Sequence, residues 1–299
     1  MALDPTEIIV FAALAAIIWG TTFARWRFHI VQSEIPLLPK GSRPIRVLHI
    51  SDLHIAPWQR KKLNFIGELA DTQPDLVVST GDILGHRDVV GISIEALEGL
   101  LAVPGVFVNG SNDYYAPSMR NPFGYIFKPS EPTKTTPLKT TEFTDALSAH
   151  GWQNLNNRAA TLSISGLKLG FIGVDDPHDK LDDIDSLPGQ RKSVGDVDVL
   201  LGVAHAPYRR VIEAMAAEGA GLMFAGHTHG GQVRVPGVGA LTTNSDLPNK
   251  YARGLSVWAW GERLMLLNVS AGLGNSIFAP VRFWNRPEVS LITLTARAD

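Results

Sequence analysis

Cysteine is missing from all 299 residues of the chain. Its absence excludes disulfides, thiolate metal sites and cysteine nucleophiles, and it leaves the compartment open. Any metal must be held by His, Asp, Glu, Asn or backbone oxygen, a donor set that favours hard to borderline ions. Charge is sparse as well. Charged residues make up 19% of the chain and the net charge is −2, so there is no electrostatic footprint for nucleic acid. The parts of a cleavable secretory signal are also absent: Asp4 and Glu7 precede the first apolar run, and no small-residue cleavage site follows it. The length, with 45% hydrophobic residues, suits one large or two small globular domains.

The apolar run itself is present. Ile8 to Ala24 is uncharged, and Trp19, Phe23 and Trp26 stand near its end. As a helix it would rise roughly 26 Å, slightly short of a ~30 Å hydrocarbon core, with the aromatics placed as interfacial anchors. The expectation is an uncleaved single-pass membrane anchor over residues 1–27. Arg25, Arg27, Lys40, Arg43 and Arg46 follow the run, and a positive-inside bias puts the main domain on the cytoplasmic side of the cell membrane. Pro36, Pro39 and Pro44 punctuate the next stretch, which reads as an extended linker over residues 28–43. The remaining residues, 44–299, read as one domain.

Within that domain, polar clusters recur at the ends of strand-like runs. Ile45 to Ile50 runs into Ser51-Asp52-Leu53-His54. Residues two apart on an extended segment point the same way, so Asp52 and His54 can grip one ion. Asp75 to Ser79 runs into Thr80-Gly81-Asp82, and Gly105 to Asn109 into Gly110-Ser111-Asn112-Asp113. Helical patterns lie between, Leu63 to Leu69 and Val90 to Leu101. This alternation is the signature of parallel βαβ units, whose sites lie at the carboxyl ends of strands. Ser, Asp and Asn also favour helix caps, so any one cluster alone is ambiguous; several in phase with strand ends are not.

Residues 114–141 hold five prolines and the aromatics Phe123, Tyr125 and Phe127, without periodicity. This is too long for an ordinary connector, and it reads as an insertion at the lip of the site. Thr161–Ile164 and Lys168–Val174 form a hairpin through Gly166, followed by Asp175, Asp176 and His178, which read as a polar loop. A further strand ends at His205. Another runs into Gly226-His227-Thr228-His229-Gly230-Gly231, where glycines permit a sharp turn and two imidazoles face one rim. Leu255–Trp260 and Arg263–Asn268 form a second hairpin, and Pro287–Thr295 a last strand.

The five blocks, Asp52/His54, Gly81/Asp82, Gly110–Asp113, His205 and His227/His229, resemble the calcineurin-like metallophosphoesterase superfamily in identity and order. The tail (Gly272-Leu273-Gly274, Pro280 to Phe283, Arg286-Pro287-Glu288) is similar to the bacterial membrane-associated branch. The resemblance implies an α/β fold, a four-layer α/β/β/α sandwich with two mixed sheets. It implies two divalent ions, Mn, Fe or Zn. Asp52, His54, Asp82 and His229 would hold the first; Asp82, His205, His227 and the Asn of the third block would hold the second. Two such ions acidify a water and clamp a phosphoryl group. One block departs: Ser111 stands where the family has its Asn ligand, and Asn112 where it has a histidine that assists the leaving group. Serine is a poor ligand, so Asn112 is expected to take the metal. Asp82, Asn112, Asp113 and His227 are then the residues expected nearest the chemistry. Loss of general acid help, typically worth ~10²–10⁴-fold, predicts slow turnover of poor leaving groups unless Asp113 or His178 substitutes.

The expected function is hydrolysis of a phosphodiester or pyrophosphate bond, with a lipid or envelope intermediate as substrate class. A nuclease is the competing enzyme, disfavoured by the charge and the anchor. A metal-binding sensor or scaffold is the competing non-enzyme.

Overall fold

The computed structural model describes residues 4–118 and 135–298. In chain order the strands are β1 (His29–Leu38), β2 (Ile45–Ile50), β3 (Leu76–Ser79), β4 (Gly105–Phe107), β5 (Gln153–Asn154), β6 (Ala159–Ile164), β7 (Leu167–Gly173), β8 (Val199–Val203), β9 (Leu222–Ala225), β10 (Arg234–Val235), β11 (Gly239–Ala240), β12 (Gly254–Trp260), β13 (Arg263–Val269) and β14 (Glu288–Ala296). The α-helices are α1 (Pro5–Ile18), α2 (Arg60–Gly67), α3 (Val90–Leu101), α4 (Ser111–Tyr114), α5 (Thr140–Ala149), α6 (Leu187–Val194) and α7 (Arg209–Ala217).

Two six-stranded sheets carry the fold, in the orders β1-β14-β2-β3-β4-β5 and β12-β13-β9-β8-β7-β6; β10 and β11 form a small separate pair. Both are mixed. The centre of each is parallel (β2, β3, β4; β7, β8, β9), with antiparallel pairs further out. Parallel strands covered on both faces need near-continuous apolar sequence, and Leu76–Ser79, Val199–Val203 and Leu222–Ala225 are buried at every position. The core has three parts. Ile35, Val47, Val78 and Val106 of the first sheet meet Phe171, Leu201, Val203 and Phe224 of the second. Ile66, Leu97 and Leu147 close α2, α3 and α5 over the outer face of the first sheet. Val194, Ile212 and Met215 close α6 and α7 over that of the second. The layers are helix, sheet, sheet, helix. Each fully buried Leu, Ile, Val or Phe contributes roughly 1.5–3 kcal/mol of transfer free energy. The two hairpins lie where expected, β6 pairing with β7 and β12 with β13.

The N-terminal expectations change. Residues 28–43 are not a linker: they contain the ten-residue β1, which pairs in parallel with β14 along its length. Ile35, Leu37 and Leu38 are buried, and that burial orders the strand. Pro36 is tolerated because β1 is an edge strand, where a missing N–H breaks no ladder on the open side; the register shifts between Pro36 and Leu38. The transmembrane helix is not found either. Among the described residues no helix is long and apolar enough to cross a membrane. The regular helix α1 has 14 residues, a rise of about 21 Å. A π-turn over Trp19–Phe23 and a 3₁₀ turn over Ala24–Trp26 follow it. There the segment docks on the domain: Gly20 and Ala24 are buried, and the Arg282 N–H donates to the Gly20 carbonyl at 3.1 Å. The expected insertion at 114–141 falls mostly outside the described residues, including the aromatics Phe123, Tyr125 and Phe127. Its two ends are tied by Leu138 N–H to Tyr114 O at 2.8 Å and Ala116 N–H to Thr136 O at 2.9 Å.

Candidate metal centre

Six turns, three from each sheet, leave the carboxyl ends of the central parallel strands and meet between the sheets. The turns after β2 and β3 are zipped together beyond the strands: Asp52 N–H to Gly81 O, His54 N–H to Asp82 O and Ile55 N–H to Ile83 O are each 2.9 Å. The conformations needed are costly ones. Asp52, His54, Asp82, His227 and His229 all have φ between 41° and 66°, a left-handed region that residues with a β-carbon rarely enter. Such strain collects where side chains must be aimed at a ligand.

Five of the predicted ligands converge. Ligand atoms of Asp52, His54 and His229 lie within 4.8 Å of one another, as do those of Asp52, Asp82 and His205. Asp82 turns Oδ2 toward His54 Nε2 at 3.4 Å and Oδ1 toward His205 Nε2 at 3.6 Å. It therefore stands between the two histidines, where two cations could share it. Asp52 Oδ1 faces His229 Nε2 at 3.7 Å, while its Oδ2 accepts from Ser51 Oγ at 2.5 Å and from His227 N–H at 3.0 Å. Asp52, His54, Asp82 and His205 are buried, yet Asp52 Oδ1, His54 Nε2 and His205 Nε2 have no hydrogen-bond partner in the protein. Buried polar atoms without partners cost free energy. Aimed at common centres, these are the donors a pair of divalent cations would satisfy. Imidazole plus carboxylate suits Mn, Fe or Zn.

Hydrogen bonds orient three of the four imidazoles. His205 Nδ1 lies 2.7 Å from Thr80 O and His229 Nδ1 3.1 Å from Gly274 O. Donation to those carbonyls turns each Nε2 toward the cluster, the orientation that metal-ligating histidines require, and a cation there would take the place of the proton that His205 holds. His227 is reversed, with Nε2 at 3.1 Å from Asn244 O and 3.2 Å from Asn244 Nδ2, so Nδ1 remains. His227 joins neither cluster of ligand atoms; its ring packs edge-on against His205 at 5.2 Å. Burial, aided by neighbouring cations, holds His54, His227 and His229 well below the ordinary imidazole range, so all three present lone pairs at neutral pH. Burial also works against a charge on His205, but Asp82, Asp176 and Asp52 outweigh it and push its pKa up to about 9.

The third block is resolved. Asp113 is not placed for chemistry. Its Oδ2 accepts from Asp82 N–H at 2.7 Å and Gly110 N–H at 2.9 Å, and its Oδ1 from Ile83 N–H at 2.8 Å and Leu84 N–H at 3.0 Å. Four backbone donors occupy this buried carboxylate, which holds the β3 turn in shape. Asn112 reaches the site as a partner of Asp82: its backbone N–H donates to Oδ1 at 2.8 Å and its Nδ2 to Oδ2 at 2.7 Å. Asn112 Oδ1 is the atom left for an ion. Close packing also explains two glycines of the motif. A β-carbon at Gly226 would collide with Ser51 Oγ and Asp52, and one at Gly110 with Asp82 and His205.

The loop after β7 belongs to the site, contrary to its reading as an ordinary polar loop. The His178 ring lies 4.5 Å from the His227 ring, with Nδ1 at 3.0 Å from Tyr208 Oη. Asp176 is fully buried; Oδ1 accepts from His178 N–H at 2.9 Å and Oδ2 has no partner. Burial pushes its pKa up to about 8, against the pull of His205. The available signal was position, since this cluster too follows a central parallel strand.

The calcineurin-like phosphoesterase family matches residues 45–231, a stretch holding all five blocks. The uncharacterised protein YpbG of Bacillus subtilis (strain 168) is 26% identical over 95% of this chain and 93% of its own. An uncharacterised metallophosphoesterase of Aquifex aeolicus (strain VF5) is 24% identical over 93% and 95%. A solved structure from Thermus thermophilus covers 77% of this chain and 91% of its own, at 13% identity and a TM-score of 0.45.

Proposed function

The chain belongs to the calcineurin-like phosphoesterases, hydrolases of phosphoric ester bonds, and from that premise we propose that it is a dinuclear phosphodiesterase or pyrophosphatase acting on an amphiphilic, lipid-linked substrate. The observation that carries the reaction is the convergence of buried, unpartnered ligand atoms from Asp52, His54 and His205 around Asp82. When bound, two divalent cations supply Lewis acidity toward a phosphoryl group and lower the pKa of water. The protein's own part is orientation. Asp113 clamps the β3 turn and so sets Asp82. Asn112 holds both Asp82 oxygens. Thr80 and Gly274 set the tautomers of His205 and His229. No side chain need act as nucleophile, in keeping with a chain that lacks cysteine. Asn112, where the family resemblance implies a histidine, has no proton to deliver to a leaving group. Good leaving groups are therefore turned over well and alkoxide leaving groups slowly.

The lipid link is supported by α1, whose residues Ile8, Phe11, Leu14 and Ile18 are exposed. Arg25 and Arg27 at its base suit the anionic surface of a cytoplasmic leaflet. The test of the reaction is hydrolysis of bis(p-nitrophenyl) phosphate by the metal-stripped chain, then with manganese, beside Asp82→Asn. Manganese-dependent turnover that disappears in the variant is expected. Metal binding without turnover would overturn the reading in favour of a sensor.

A further inference from the structure

Exposed apolar surface gathers at one edge of the molecule. Trp19 stacks on Phe23 with ring centroids 5.7 Å apart, and Trp26 lies edge-on to Phe28 at 6.1 Å. Phe28 in turn packs on Phe65 of α2 at 5.2 Å, which fixes this aromatic collar to the catalytic domain. Trp58, 61% exposed, faces it from the loop after β2. Between them lies a cleft of about 570 Å³, also lined by Arg27, Arg60 and Lys61 and by no carboxylate. Arg25 lies over the Trp26 ring at 4.8 Å. Along the chain the order is apolar helix, aromatic collar, basic rim. It matches the order of a leaflet read outward: acyl chains, interface, phosphate headgroups. α1, about 21 Å long, exceeds the ~15 Å of one hydrocarbon leaflet.

The collar is also tied to the metal centre. Trp58 lies four positions after His54, and its ring meets His86, four positions after Asp82, at 5.5 Å. On the other side, Gly20 is bonded to Arg282 N–H. The buried Arg282 guanidinium donates to Ala271 O at 2.7 Å and Gly274 O at 2.6 Å, and Gly274 supports both Asp52 and His229.

We propose that this collar is a docking site for an anionic phospholipid surface. α1 enters the acyl chains, Arg27, Arg60 and Lys61 take up headgroup phosphates, and the ligand turns of the first sheet are held at headgroup depth. The inference deepens the amphiphile reading above and rests on it only for the substrate; the membrane contact stands or falls without catalysis.

The experiment is vesicle flotation of the full chain, delivered from detergent, with phosphatidylcholine alone or with added phosphatidylglycerol. The wild type is expected to prefer the anionic vesicles. Arg60→Ala with Lys61→Ala is expected to cut that preference by about 30-fold, the combined effect of two basic side chains at an anionic surface. Trp58→Ala should weaken binding to both vesicle types. Turnover of soluble bis(p-nitrophenyl) phosphate in detergent should be unchanged in these variants. Equal flotation with both vesicle types, a double variant that floats like the wild type, or a self-associated chain whose collar is covered by a second copy would each overturn the proposal. A chain that floats as expected but hydrolyses no phosphodiester would instead sink the functional reading and leave the docking site standing.

Discussion

The turns after β2, β3 and β4 and those after β7, β8 and β9 meet at one centre, but they are held in different ways. The first set is a frame of anions locked by backbone N–H groups. Asp113 accepts four of them, Asp52 accepts one from His227, and the β2 and β3 turns are bonded to each other. The second set is largely imidazole. His205 and His229 are each aimed by a single carbonyl, and His227 by the backbone carbonyl and side-chain amide of Asn244. An anionic frame needs many donors to survive burial, whereas a neutral ring needs only its tautomer fixed. The first sheet thus sets where charge sits, and the second sets where lone pairs point.

Breaking the frame should cost most. Asp82→Asn removes the carboxylate that stands between His54 and His205. Turnover should fall by more than the ~10–100-fold typical of losing an outer partner, and bound metal, measured by atomic absorption, should fall with it. Retained metal with lost turnover would mean that Asp82 is not the bridge. Asp113→Ala strands the N–H groups of Gly110, Asp82, Ile83 and Leu84 in the interior. At ~1–3 kcal/mol for an unsatisfied buried group, denaturant unfolding should show a loss of at least ~3 kcal/mol. Asp113→Asn keeps the size but sets an amide donor against two of those N–H groups, so it too loosens the turn, and the leaving-group ratio is what separates a clamp from an acid. If Asp113 were a general acid, this variant would slow phenyl esters selectively over p-nitrophenyl esters; a clamp leaves that ratio unchanged.

The same contrast explains what could be read in advance. The ligands of the first sheet announced themselves, because Asp-x-His and Gly-Asp at the ends of apolar runs need only local extended geometry to be understood. The βαβ order and both hairpins followed from periodicity. The position of β14 did not: Glu288–Ala296 crosses back to lie between β1 and β2, and no local pattern encodes so distant a partner. β1 was hidden for a related reason. Three prolines suggest a linker, and only a neighbour such as β14 makes the buried Ile35 and Leu38 decisive. Asp113 has the composition of a catalytic acid; its four backbone partners are a tertiary fact. Asp176 and His178 fit no family spacing, and only the parallel pairing of β7 with β8 shows that their loop opens on the same centre.

That last loop gives a smaller test on the side of the second sheet. His178 touches His227 rather than Asp82, so His178→Ala should loosen one predicted ligand without removing any. Manganese affinity by isothermal titration should fall ~10–100-fold at one of two sites, the range for outer-sphere partners, with the other site unchanged. Equal loss at both sites would place the loop in the common frame instead.

The smallest effect concerns the seam between the sheets. His49 of β2 is fully buried, with Nε2 at 2.9 Å from Thr80 Oγ1 and Nδ1 at 2.8 Å from Asn268 Nδ2 of β13. Burial lowers its pKa from 6.5 to about 3. The native state therefore refuses a proton that the unfolded chain accepts. Stability from this group is fully present above about pH 6.5 and is lost as pH falls toward 3, with a slope approaching ~1.4 kcal/mol per pH unit. Between pH 6.5 and 5 the loss is about 2 kcal/mol. His49→Gln keeps a polar side chain at the seam but cannot be protonated, so its unfolding free energy should depend less steeply on pH over that interval, by the same amount. Comparing the two chains, not either alone, isolates the seam, because His54, His227 and His229 are also held neutral by burial and contribute a slope common to both. An unchanged difference between pH 6.5 and 5 would move the acid sensitivity off the seam and onto the metal-binding turns.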